Sequence, residues 1–278
     1  MNVAIRSDAA SAVGAAFAAL PEVVAVALGG SEASADADRL SDLDLYVYSD
    51  VPVPIASRAA VAERLAAPGG EVGNDLWESG DEWTHARSGV PVDVMFRTRA
   101  WIEEQLDHTL VRHEPSLGYS TCLWHNVHTS RALIDPEGWY DKLQVRASCA
   151  YPERLRARIV ARNYRVLRDM RSSYAVQLER AAARGDRANL IDRASAFLAS
   201  YFDIVFAVNR VAHPGEKRQL AYAERNCPRL PPELGARLDE LASAIAAAWA
   251  EQPGRTRAAI DALVDGLDQV LESDLGPM

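Results

Sequence analysis

Three aspartates carry the most distinctive chemistry in this sequence. Asp42 and Asp44 stand two apart in Ser41-Asp42-Leu43-Asp44-Leu45, and Asp93 lies in Pro91-Val92-Asp93-Val94-Met95-Phe96. Side chains two apart on a strand share a face. An extended segment therefore projects Asp42 and Asp44 together, with Leu43, Leu45 and Val47 opposite. Adjacent carboxylates repel unless a cation sits between them. Their hard oxygens suit Mg²⁺, which keeps several waters and bridges to substrate phosphates. Asp93 occupies the polar face of a run whose other face is Val92, Val94 and Phe96. If that run pairs beside the first acidic strand, three carboxylates meet. Gly29-Gly30-Ser31 precedes the pair. The glycines let backbone approach a ligand closely, and Gly30 with the Ser31 hydroxyl can hold triphosphate oxygens. The alternative is a tight turn that binds nothing.

The elements around these residues follow from local pattern. Residues 7–20 are alanine-rich and read as a helix with Ser7 as N-cap, ended by Pro21. Residues 23–28 are short, apolar and β-branched, a buried strand; residues 41–48 alternate, a second strand. Residues 55–67 read as a surface helix. Three short strands follow at 71–77, 82–87 and 90–96, the last two joined by a Ser88-Gly89 turn. Residues 98–110 read as a helix and 133–136 as a last strand.

From about residue 137 strand alternation gives way to helical periodicity. One helix is expected from 151 to about 183, a core helix through 190–208, and further helices at 232–250 and 255–271. The expected architecture is α+β. A mixed-sheet catalytic domain over residues 1–136 precedes a helical bundle over 137–278.

Gly30-Ser31, ten intervening residues, Asp42-Leu43-Asp44-Leu45 and the later apolar-flanked Asp93 together resemble the polymerase-β-like nucleotidyltransferase superfamily. The layout is similar to the small antibiotic-modifying members, the kanamycin and lincosamide nucleotidyltransferases, and their bacterial relatives. The resemblance implies an enzyme that uses one or two Mg²⁺ ions. It would move a nucleoside monophosphate from ATP, or another nucleoside triphosphate, to a hydroxyl of a small acceptor bound between two domains, and release pyrophosphate. Asp42 and Asp44 would be metal ligands, and Asp93 a ligand or the general base. The segment Asn209…Pro214-Gly215-Glu216-Lys217 also looks like its counterpart in relatives, which makes Lys217 a candidate phosphate contact; a solvated loop lysine is the alternative. Relatives that pair two subunits around the active site raise a homodimer. Glu32 and Ala35 depart from the family, which often has a basic residue after the serine and a glycine further on. That departure keeps open a nucleotide-responsive interaction module or an antitoxin-like enzyme that modifies another protein. Biosynthesis of a natural product would use the same chemistry on a different acceptor.

Composition narrows the choice. The chain has 278 residues, 49% hydrophobic and 25% charged, with net charge −9. Such a chain builds a sizeable core without disulfides. An acidic surface is a poor match for nucleic acid and compatible with a cationic acceptor. Cys122, Cys149 and Cys227 form no pairing or zinc pattern and fit a reducing cytoplasm. No signal-peptide pattern or membrane-length apolar run is evident.

Other candidates have ordinary readings beside the functional ones. Trp77 and Trp83 either stack on a substrate ring or pack. His108, His113, His125 and His128 match no zinc motif. Arg154, Arg158, Arg162, Arg165 and Arg168 form one helical stripe, which is either a solvated face or a phosphate wall. Asp203 lies at a polar edge or serves as a base.

Overall fold

The computed structural model describes residues 3–30, 41–76, 78–248 and 254–275. Residues up to 107 together with 123–149 form one compact unit, and 108–122 with those from 150 onward form a second.

The first unit is built on a mixed sheet of six strands. Helix α1 (Val3–Ala18) leads into β1 (Val23–Leu28) and β2 (Leu43–Ser49). Helix α2 (Ile55–Leu65) precedes β3 (Glu71–Asn74), β4 (Gly80–Thr84) and β5 (Pro91–Thr98). Helices α3 (Arg99–Leu110) and α4 (Cys122–Thr129), strand β6 (Arg131–Ile134) and helix α5 (Trp139–Ala147) follow. The strand order is β3-β4-β5-β2-β1-β6. Neighbours are antiparallel except β2 and β5, which run parallel with Asp44 opposite Asp93.

Alternation along the strands gives this sheet two distinct faces. Val26, Leu28, Leu43, Leu45, Val47, Val92 and Val94 form a core with Ala9, Ala10, Val13 and Phe17 of α1. Burying each of the larger side chains is worth roughly 1.5–3 kcal/mol. The other face carries Tyr46 and Tyr48 beyond Asp44, and Arg97 beyond Asp93. Arg97 lies 4.3 Å above the Tyr46 ring and holds Glu78 through two bonds of 3.1 and 2.7 Å. Tyr48 packs on Tyr140 of α5 at 5.1 Å between ring centres.

Two helices of this unit differ from the pattern-based reading. Helix α1 starts at Val3, ahead of Ser7, and so includes Arg6, which is 4% exposed and donates to two backbone carbonyls. Helix α2 is more than a surface helix. Its Arg58 is buried against Asp81 (Nε to Oδ1 3.1 Å), and Asp81 also accepts from Gly73 N at 2.8 Å. Removing one partner of such a pair strands a buried charge, so α2 is locked to the β3–β4 hairpin.

The second unit is helical. It contains α6 (Glu153–Tyr164), a π-helical turn (Arg165–Asp169), α7 (Tyr174–Arg184), α8 (Arg187–Val208), α9 (Gln219–Asn226), α10 (Leu234–Ala248) and α11 (Gly254–Leu275). The single helix expected over 151–183 is broken. The chain leaves helical geometry at Met170 (φ −84°, ψ 152°), and Ser173 caps the new helix by accepting from Val176 N. Neither Gly nor Pro marks the break, and Ser173 supplies the competing local hydrogen bond.

Helix α8 is the core of this unit. Asp186 caps its start, accepting from Asn189 N at 3.2 Å, and Leu190, Phe197, Tyr201, Ile204, Phe206 and Val208 are fully buried. Among the described residues no helix is long and apolar enough to cross a membrane.

Candidate metal and nucleotide site

The parallel pairing of β2 and β5 gathers the acidic residues. Asp44 and Asp93 are directly opposite in register, and Asp42 precedes β2 by one residue. Each of the three offers a carboxylate oxygen within 4.8 Å of the others, and all three are half-buried. On one octahedral Mg²⁺, with bonds of about 2.1 Å, cis ligands lie about 3 Å apart and trans ligands about 4.2 Å. Of three ligands at most one pair is trans, so a shared ion requires these side chains to close by up to about 2 Å. The donor set is all hard oxygen and partly open to solvent, which suits an ion that keeps waters. It fits the metal that the sequence implied.

The diglycine sits against this cluster. Gly29 N donates to Asp44 O at 2.8 Å, which ties the end of β1 to β2. Gly30 has φ +61°, and a Cβ there would lie 1.8 Å from Asp44 Oδ2. A Cβ on Gly29 would meet the Tyr46 ring at 2.2 Å. Glycine here has a first consequence that spacing did not reveal. It leaves room for the Asp44 carboxylate. Ser31 lies outside the described residues, as do Glu32, Ala35 and Trp77.

Two neighbours of the trio were missed. Arg6 donates from Nη2 to Ser41 O at 2.8 Å and to Asp42 O at 3.1 Å. It clamps the backbone that carries Asp42. No local sequence signal pairs an N-terminal arginine with a loop 35 residues away. If the trio holds Mg²⁺, replacing Arg6 with Met should raise the Mg²⁺ concentration needed for half-maximal binding roughly tenfold, since two charge-assisted bonds are lost. A magnesium titration of the variant checks this, and an unchanged midpoint would remove Arg6 from the site.

The second neighbour is Glu82 on β4, paired in register with Asp93. It extends the acidic row toward the sheet edge. A cavity of about 300 Å³ borders both, lined by Asp42, Asp93, Glu82, Thr84, Gly69 and Pro91 among others. Glu82 was legible only as part of an alternating strand, because its register depends on pairing.

The remaining candidates take other positions. Trp83 is 5% exposed and packs in the core of the first unit. Burial pushes the His125 imidazole down to about 4, with His128 adding in the same direction, so His125 is neutral. His108 pairs with Glu114 at 3.1 Å. Asp203 is 1% exposed in the second unit, and it is a buried anchor rather than a solvent-facing base. Lys217 also belongs to the second unit and is exposed; its assignment to phosphate rests on sequence resemblance alone. The three cysteines are unbridged.

Comparison with known proteins adds the following. A family model described as a domain of unknown function (DUF4037) matches residues 120–218. No curated protein matches the chain. A comparison with solved structures matches the chain to a crystal structure titled as a nucleotidyltransferase-like protein from Exiguobacterium sibiricum 255-15. That likeness has 11% identity and a TM-score of 0.46, covering 97% of this chain and 77% of the other.

Proposed function

We propose that this chain is a magnesium-dependent nucleotidyltransferase. It would transfer a nucleoside monophosphate, AMP from ATP in the first instance, to a hydroxyl of a small acceptor of the aminoglycoside or lincosamide type, with release of pyrophosphate. One observation carries the reading: Asp42, Asp44 and Asp93 converge within 4.8 Å from neighbouring strands, beside a diglycine that makes room for Asp44.

In this reading Asp42 and Asp44 hold the metal, and Asp93 is a third ligand or the base that accepts the acceptor hydroxyl's proton. Bound Mg²⁺ supplies neutralisation of charge on the triphosphate and on the leaving group. Gly30 would offer its backbone to phosphate oxygens, and sequence resemblance alone assigns the Ser31 hydroxyl the same role. Arg6 fixes the backbone at Asp42. The acceptor hydroxyl attacks the α-phosphorus in line, and the bond to the pyrophosphate oxygen breaks.

Asp42→Asn and Asp44→Asn, made separately, should each abolish magnesium-dependent pyrophosphate release. Their far-ultraviolet circular dichroism should match the parent. Full activity in both variants would overturn the assignment. Glu32 and Ala35 favour a second reading, a nucleotide-responsive module or an enzyme that labels another protein. Incubation with labelled ATP, aminoglycosides, lincosamides and cell extract separates the two: label on a small molecule supports the first, and label on a protein supports the second.

A further inference from the structure

We infer that the helical unit carries a second ligand site that takes a small amphiphilic anion, a phosphate or carboxylate head on an apolar body. The site is a groove with a cavity volume of about 810 Å³, within the usual range for small-molecule pockets. One wall is α6 with the π-turn that follows it; the other is the loop at Glu114, Pro115 and Leu117. None of the three aspartates lines it.

Nearby arginines provide an internal comparison. Arg156 pairs with Glu153 at 2.7 Å and with Asp274. Arg168 pairs with Asp265 at 2.5 Å and with Asp268. Those two serve the fold. Arg162 and Arg165 line the groove, and their guanidinium groups make no hydrogen bond or ion pair among the described residues. Arg158, the third in the lining, meets no carboxylate. Its Nη1 donates to the carbonyls of Arg112 at 2.8 Å and His113 at 3.1 Å. Glu114 is the one acid in the lining, and it is already engaged by His108 at 3.1 Å and Arg112 at 3.7 Å. The groove is thus electropositive on a chain of net charge −9. Positions 158, 162 and 165 fall at i, i+4 and i+7, so the three cations share one stripe.

The same groove is apolar between its cations. Leu117 and Met170 are 46% and 39% exposed. The π-turn contributes to this, because Met170 N donates to Arg165 O, five residues back, at 3.3 Å. Val166 follows Arg162 at i+4 on the same stripe, and Met170, where the chain leaves the turn in extended geometry, completes the lining. The opposite wall is held in place beforehand. Asn163 accepts from Gly118 N at 2.9 Å and donates to Ser116 O at 3.2 Å. Guanidinium forks match the paired oxygens of a phosphate or carboxylate, and an apolar body covers Leu117 and Met170. A preformed wall spares the ligand the cost of ordering it.

Decyl phosphate, kept below its micelle threshold and titrated into the full chain by calorimetry, tests this. One molecule should bind per chain. Inorganic phosphate and decanol should each bind at least roughly tenfold more weakly, since each lacks one half of the match. The double variant Arg162→Gln/Arg165→Gln should weaken binding by about tenfold or more through loss of charge-assisted bonds. Both residues are exposed, so the variant should fold, and circular dichroism checks this. Asp42→Asn should leave binding unchanged, so the groove stands or falls apart from the catalytic reading. ATP with Mg²⁺ should not displace the probe. Absence of saturable binding, an unaffected double variant, equal binding of either control or displacement by ATP would each overturn the inference.

Discussion

Gly30→Ala is expected to lower pyrophosphate release by about a hundredfold or more while leaving the fold intact. Two effects add. A residue other than glycine at φ +61° costs roughly 1–2 kcal/mol. The larger effect is steric, because the new Cβ would lie 1.8 Å from Asp44 Oδ2 and 2.7 Å from its Cγ. Asp44 is rooted on a central strand whose backbone is paired on both sides. The carboxylate must therefore rotate away, out of the cluster it forms with Asp42 and Asp93. A displacement of about 1 Å at reacting groups costs on the order of a hundredfold. Gly30 is exposed, so global stability should change little. The control is Gly254→Ala, where a Cβ meets nothing within 4 Å and φ is not positive. Near-normal turnover in Gly30→Ala would show that the close approach to Asp44 is dispensable.

The elements of that site were legible from sequence, and their assembly was less so. Leu43, Leu45 and Val47 alternate with Asp44, so the strand and its acidic face follow from period alone. The same holds for Asp93 between Val92 and Val94. What neither segment encodes is that β2 and β5 run parallel with these two aspartates in register; that depends on the β3–β4 hairpin returning the chain to the correct edge. Arg6 and Glu82 escaped for the same reason, since each acquires its role through pairing between distant segments. In the helical unit, the periodic face of α8 made its existence plain. The break before Ser173 was hidden because Arg165 to Met170 contain only good helix formers or neutral residues. Asp203 looked like a polar edge, since sequence does not show that Ser120 and Asn163 come to meet it.

Asp203→Ala should destabilise the helical unit by roughly 3–5 kcal/mol. Asp203 Oδ1 accepts from Ser120 N at 3.0 Å, while Oδ2 accepts from Ser120 Oγ at 2.6 Å and Asn163 Nδ2 at 3.0 Å. Alanine would leave those buried donors without that acceptor and open a void. Titration gives a second signature. Burial pushes the Asp203 carboxyl up to about 7 although all three hydrogen bonds act to lower it. Its unfolded value is near 3.8, so the native state binds the proton more tightly than the unfolded chain. The contribution is therefore fully present below about pH 4 and is lost as pH rises to about 7, by a few kcal/mol. Most paired carboxylates give the opposite slope, so the difference between the parent and Asp203→Asn isolates this one. Denaturant unfolding from pH 4 to 8 should show the parent's advantage over Asp203→Asn shrinking with pH. A constant difference would mean that Asp203 is ionised throughout, and that its three donors outweigh its burial.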